Sequence, residues 1–205
     1  TLNYDFMADE LLTLLANHQF GPVHLVGYSM GGRLALYLAL RHADRFATLC
    51  VENGSPGIED GAERNERLKL DHDRAKAIFD VGLEDFLHGW YQAPLFDSLA
   101  TQKTKLHNLI RRRVIENSPQ WVAKVIAEMS PGHSPNLWPE LPSLTLPLLW
   151  ISGALDQQYA TIASRVETLL PQQNFVQFKN AGHNIHLEDE AGFVHALTTF
   201  LKEHS

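Results

Sequence analysis

Apolar residues return every three or four positions near the start of the chain, and Met7, Leu11, Leu14 and Leu15 fall on one face of an amphipathic helix. The pattern stops before Gly21-Pro22, a pair that cannot continue a helix. A short apolar run, Val23 to Val26, then leads straight into Gly27-Tyr28-Ser29-Met30-Gly31-Gly32. After it, Arg33 to His42 is apolar nearly all round, as a buried helix is. The order is strand, sharp turn, helix. Ala47 to Val51 predicts a second buried strand, closed by the turn-forming Asn53-Gly54-Ser55-Pro56-Gly57.

From Ile58 to Glu140 the texture changes to polar helical stretches without a strand pattern, and six of the ten arginines lie there. One helix is well marked: Ser118 suits the N-cap and Pro119 the first position, and Trp121, Val122, Val125, Ile126 and Met129 line one face. A proline-rich return, Pro131 to Pro147, precedes two further strands at Leu148 to Ile151 and Asn174 to Phe178. An amphipathic helix over Glu190 to His204 closes the chain. These patterns predict a mostly parallel α/β sheet with helices on both faces, split as 1–57 and 141–205, and a helical cap insertion over 58–140.

Composition excludes several classes. The 205 residues suit one domain, and 44% apolar with 20% charged residues fits neither a collagen-like nor a disordered chain. A formal charge of −7 without a basic run argues against nucleic acid as a partner. The longest nearly apolar stretch, Leu34 to Leu40, is too short to span a bilayer. The single cysteine, Cys50, sits in an apolar run and reads as a buried thiol in a reducing, cytoplasmic compartment.

Gly27-x-Ser29-x-Gly31 between a strand and a helix matches a nucleophile elbow, where a strained turn exposes the serine oxygen and small neighbours permit tight backbone packing. The Met30 N–H would stand at the helix N-terminus, aimed where an oxyanion could develop. A serine needs a histidine to take its proton, and the histidine an acid to fix its tautomer. Asp156 and His183 each follow a predicted strand end, and Ser29, Asp156, His183 is the chain order of α/β-hydrolases. His186 is the nearest rival to His183. Arg33, one helical turn beyond Ser29, faces the same side. No histidine pair has zinc-ligand spacing with an acid, so no metal is expected.

Gly27-Tyr-Ser-Met-Gly-Gly-Arg33, Glu52-Asn-Gly-Ser-Pro-Gly57, Glu63-Arg-Asn-Glu-Arg67, Trp90-Tyr-Gln-Ala-Pro-Leu-Phe96 and Ala181-Gly-His-Asn-Ile-His-Leu-Glu188 together resemble the 2-succinyl-6-hydroxy-2,4-cyclohexadiene-1-carboxylate synthases of menaquinone biosynthesis. The resemblance implies a lyase on a hydrolase fold, without a cofactor. In such an enzyme Ser29, with His183 and Asp156, abstracts a proton and pyruvate leaves from an enolpyruvyl substituent. It also implies that Arg33, Arg67 and Arg111 bind the carboxylates of a small polycarboxylate substrate, with Arg112 and Arg113 as alternatives beside Arg111 and with Tyr28 and Trp90 as pocket aromatics. Guanidinium forks suit carboxylates geometrically in a way that lysine does not.

Asn53 departs from the pattern, because the family often has glycine there. The start of the chain departs more. Only one helix and one strand precede Ser29, and the upstream loop that supplies a second oxyanion N–H is absent, so the sequence reads as the C-terminal part of a longer protein with an exposed apolar sheet edge. Two other readings stand beside the lyase: a serine hydrolase acting through an acyl-serine, and a non-catalytic chain that binds ligand or misfolds.

Overall fold

The computed structural model describes residues 1–204. In chain order its elements are α1 (Tyr4–Asn17), β1 (Val23–Tyr28), α2 (Met30–Arg41), β2 (Phe46–Glu52), α3 (Gly61–Val81), α4 (Leu83–Trp90), α5 (Asp97–Ala100), α6 (Lys103–Glu116) and α7 (Pro119–Glu128). They continue with β3 (Leu148–Gly153), α8 (Gln157–Leu169), β4 (Asn174–Phe178), α9 (Ile185–Glu188) and α10 (Glu190–Glu203). Strands β1 and β2 run a residue or two beyond their apolar runs. The parallel ladder continues through the Tyr28–Glu52 pair, where hydrogen bonding rather than hydrophobicity extends the strand.

Among the described residues the strands form one parallel sheet in the order β1-β2-β3-β4. The pleat sends successive side chains to opposite faces. Leu49, Val51, Leu148 and Trp150 pack with Tyr4 and Ala8 of α1, Leu36 of α2 and Val166 of α8. Cys50, Leu149 and Ile151 pack on the other face with Ala181, Ile185 and Phe200. β2 and β3 are nearly continuous apolar runs because both of their faces are covered. Cys50 is buried, as expected. Among the described residues β1 and β4 are each paired on one side only, and Val26 of β1 is half-exposed.

Between β2 and β3 the described residues form α3 to α7 and no strand. These helices have a core of their own, including Ile78, Phe86, Leu87, Phe96, Leu99 and Ile110. Asp60 caps α3 by accepting from the Glu63 N–H at 2.8 Å, and Ser118 caps α7 by accepting from the Trp121 N–H at 3.2 Å. The segment therefore folds on local signals and sits over the carboxyl ends of the strands, where open parallel sheets place their sites. No described helix is long and apolar enough to cross a membrane.

Candidate active site

The turn at the end of β1 is built by close backbone approach. A Cβ at Gly27 would lie 2.4 Å from the Gly31 carbonyl oxygen and 2.8 Å from the Ala35 side chain, so any larger residue would push α2 off β1. Ser29 has φ 50° and ψ −110°, a backbone state that costs a side-chain-bearing residue on the order of 1–3 kcal/mol. Its N–H donates to the Glu52 carbonyl at 2.9 Å, and its own carbonyl accepts from the Arg33 N–H at 3.1 Å. Met30 is the first residue of α2. Its N–H belongs to the turn of donors that a helix cannot satisfy internally, and it stands directly beside Ser29.

Asp156 caps α8, with Oδ1 accepting from the Tyr159 N–H at 3.2 Å. Oδ2 is thereby left for His183 Nδ1, 2.7 Å away, and His183 Nε2 lies 2.9 Å from Ser29 Oγ. Asp156 and His183 are almost wholly buried. A carboxylate at Nδ1 favours the Nδ1–H tautomer, which turns the Nε2 lone pair toward the serine hydroxyl. This arrangement can take a proton from Ser29 and stabilise the resulting imidazolium. His186 faces elsewhere: its Nδ1 is 2.9 Å from both oxygens of the buried Glu52 carboxylate.

A cavity of about 570 Å³ opens over Ser29, His183 and the first turn of α2. Tyr28 and Trp90 line it. The Tyr28 ring lies 5.2 Å from that of His183 and 4.8 Å from that of His186. Burial first, and the Glu52 charge second, hold the Tyr28 hydroxyl well above the usual range, so it stays a neutral donor. Trp90 packs between Phe86 and Phe96, with the Arg74 guanidinium 4.9 Å from its ring centre.

Arg33 lines the cavity and is only 5% exposed. Its contacts are long ones to neutral oxygens, Nε to Tyr4 Oη at 3.3 Å and a terminal nitrogen to the Met129 carbonyl at 3.5 Å. Among the described residues no carboxylate lies within ion-pair distance of it. Arg67 also lines the cavity, its Nε donating to Asp71 Oδ2 at 2.7 Å. Arg111 does not line it. Of the three adjacent arginines, all solvent-exposed, Arg113 takes the place expected of Arg111: it faces the cavity, 5.7 Å above the Tyr91 ring. Two helical positions turn a side chain through about 200°, so of two arginines spaced this way only one can face the site.

Sequence reasoning missed the parts played by two residues around the site. Asp71 is buried and accepts from Arg67, from Arg74 at 2.8 Å and from Ser130 Oγ at 2.7 Å. The Arg67-Asp71-Arg74 spacing of four and three was the available signal. Asn53 is fully buried and joins the ends of β2 and β3 to the loop that bears His183, and no sequence period marks it. Among the described residues, no group of three or more His, Cys, Asp and Glu side chains could hold a metal ion.

A strand-to-helix serine elbow, an acid and a histidine on successive loops, and helices on both faces of a parallel sheet define one class. The chain belongs to the α/β-hydrolase fold family, whose model matches residues 1–190. Within it, the chain is a homologue of the 2-succinyl-6-hydroxy-2,4-cyclohexadiene-1-carboxylate synthases. It is 33% identical over 179 residues to the putative synthase of Bacillus subtilis, covering 87% of this chain and 65% of that one. Protein PHYLLO, chloroplastic, of Arabidopsis thaliana is 32% identical over 209 residues, 98% of this chain and 12% of that protein. The solved structure of MenH from S. aureus superposes with a TM-score of 0.91 at 34% identity, covering 98% of this chain and 76% of that one. The chain thus spans about two thirds of the Bacillus relative and a small part of the plant protein.

Proposed function

We propose that the chain carries the pyruvate-eliminating lyase site of a 2-succinyl-6-hydroxy-2,4-cyclohexadiene-1-carboxylate synthase, with Ser29 as base, His183 as proton relay and Asp156 as its orienter. His183 takes the Ser29 proton, and the serine oxygen removes a proton from the ring of 2-succinyl-5-enolpyruvyl-6-hydroxy-3-cyclohexene-1-carboxylate. The released electron pair forms the new ring double bond, the carbon–oxygen bond to the enolpyruvyl group breaks, and the departing enolate is protonated to pyruvate. No acyl-enzyme forms. The helical segment between β2 and β3 serves as a cap that closes the cavity over the substrate.

The observation that carries this reading is Arg33, a buried guanidinium on the cavity wall with no carboxylate among the described residues to neutralise it. An unpaired buried charge is expensive, and an anionic ligand is the partner that removes the expense. Arg67 and Arg113 add two further cations, and because Asp71 engages Arg67 through Nε, its two terminal nitrogens are left for a carboxylate. A pocket for a neutral ester has no use for three arginines. The substrate is a water-soluble polyanion, which suits a cytoplasmic enzyme. The test is pyruvate release from that precursor, followed by coupling to lactate dehydrogenase, with Ser29→Ala as the blank. Serine-dependent release supports the lyase.

One observation favours a second reading. The strained Ser29 with the Met30 N–H beside it is also how a serine hydrolase holds an acyl-serine and its oxyanion. An acyl adduct on Ser29, detected by intact mass with a thioester or ester of a small acid and without pyruvate release, would put the hydrolase first.

A further inference from the structure

Asn53 follows β2 in a backbone state, φ 43°, that residues with side chains rarely adopt. Glycine would meet that demand without strain, so the residue's contribution lies in its side chain. The side chain is fully buried and does not line the cavity. Its Nδ2 donates to the carbonyl oxygens of Gly182 and His183, at 3.0 and 2.9 Å, and its Oδ1 accepts from the Gly153 N–H at 3.3 Å. The backbone N–H of Asn53 donates to the Ile151 carbonyl at 2.9 Å. One amide therefore ties the end of β2 to the peptide of His183 and to the end of β3, three residues before Asp156.

The surroundings explain why an amide fits. A Cβ at Gly153 would lie 2.0 Å from the Gly182 carbonyl oxygen, so the two loops touch backbone to backbone. Glu188 holds the same loop from its other side, accepting the N–H groups of Gly182 at 2.8 Å and Asn184 at 3.0 Å. Carbonyls buried in such a junction need a donor, and only the Asn53 amide reaches both.

We propose that Asn53 is a positioning residue for the proton relay: its amide locks the His183 peptide against the strand ends, and this lock sets Nε2 within reach of Ser29 Oγ. The inference rests on the serine–histidine relay proposed above and is independent of the substrate. Misplacement of a reacting group by about 1 Å lowers rates on the order of 100-fold, so even partial slackening of the loop is readable in rate.

Asn53→Gly removes the amide and keeps the backbone, and Asn53→Asp keeps the shape but turns an acceptor toward two carbonyls. Two assays run side by side across pH: kcat and KM for pyruvate release, and phosphonylation of Ser29 by a fluorophosphonate, read by intact mass. The expectation is a fall of about tenfold or more in kcat and in phosphonylation rate for Asn53→Gly, a larger fall for Asn53→Asp, KM within about twofold, and a displaced acid limb of the kcat profile. Slowed phosphonylation in a chain whose wild type releases no pyruvate would sink the lyase reading and sustain this one. Several results would overturn it: both rates unchanged in Asn53→Gly, a change in KM alone, losses that only track the unfolded fraction by circular dichroism, failure of both variants to fold, or a wild-type Ser29 that resists phosphonylation.

Discussion

Replacing Arg33 with methionine separates binding from stability, because the two respond in opposite directions. The methionine stem fills most of the space of the arginine stem, so packing under α2 is retained while the charge goes. Arg33 is 5% exposed, and a carboxylate paired with it in the cavity is desolvated on both sides. Truncating one partner of such a pair costs about 2–5 kcal/mol. At about 1.4 kcal/mol per decade, kcat/KM for pyruvate release should fall between about 30-fold and several thousand-fold. On the stability side the variant loses two long hydrogen bonds, at 3.3 and 3.5 Å, each contributing at most about 0.5–1.5 kcal/mol. It also sheds an uncompensated buried charge, which offsets that loss. The thermal midpoint of the ligand-free variant should therefore stay level or rise. Arg33→Lys, which keeps the charge but loses the planar fork, should fall between wild type and Arg33→Met in kcat/KM. A kcat/KM within about threefold of wild type, or a midpoint that drops in step with activity, would refute the argument that Arg33 awaits an anionic ligand.

Ser29→Ala should abolish turnover, with a thermal midpoint at or above that of wild type. Asp156→Asn should lower kcat by roughly 10³- to 10⁴-fold, since the neutral amide no longer fixes the His183 tautomer, and initial rates with saturating substrate measure this. Arg113→Ala should raise KM by about tenfold or more while Arg111→Ala leaves it unchanged, a direct contrast between neighbours on one helix. Burial, and to a lesser degree Glu52, pushes the Cys50 thiol up to about 12, so iodoacetamide at pH 8 should label it only after unfolding. Burial likewise holds Tyr28 and Tyr91 above their usual range. The unfolded chain releases these protons first as pH rises, so stability should decline from about pH 8.5 upward, and Cys50→Ala should flatten the slope of denaturation midpoint against pH.

The elements that carry the site were legible because each has a strong local cause. The apolar run into Gly27-x-Ser29-x-Gly31 marks a strand and a helix at once, and the loop bearing Asp156 follows β3, whose burial on both faces leaves a continuous apolar run. The loop bearing His183 follows the half-exposed β4, marked by Phe175, Val176 and Phe178. The contacts that hold the site rigid were not legible, because they join residues a hundred or more positions apart. Asn53 meets Gly153, Gly182 and His183 only once the strand ends are side by side. The choice between Arg111 and Arg113 depends on how α6 rotates against its neighbours. That rotation is set by Ile110 and other scattered apolar positions in a helix of low overall hydrophobicity. Asp71 lay within reach of helical-spacing arguments, yet its burial follows from Ser130 closing over it from the far end of the helical segment.

The one-sided pairing of β1 bears on how the molecule breathes. Its outward amides have no ladder partner among the described residues, whereas β2 and β3 are bonded on both sides. Under hydrogen–deuterium exchange the inner strands should report global unfolding, and the edge strands β1 and β4 should exchange through smaller, more frequent openings. β4 is likewise paired on one side, and Ser29 follows directly on β1, so the nucleophile is attached to one of the two edge strands among the described residues. A polyanion bridging Arg33 of α2 with Arg67 of α3 would quiet those openings, and slower exchange along Val23–Tyr28 would then register occupancy of the site.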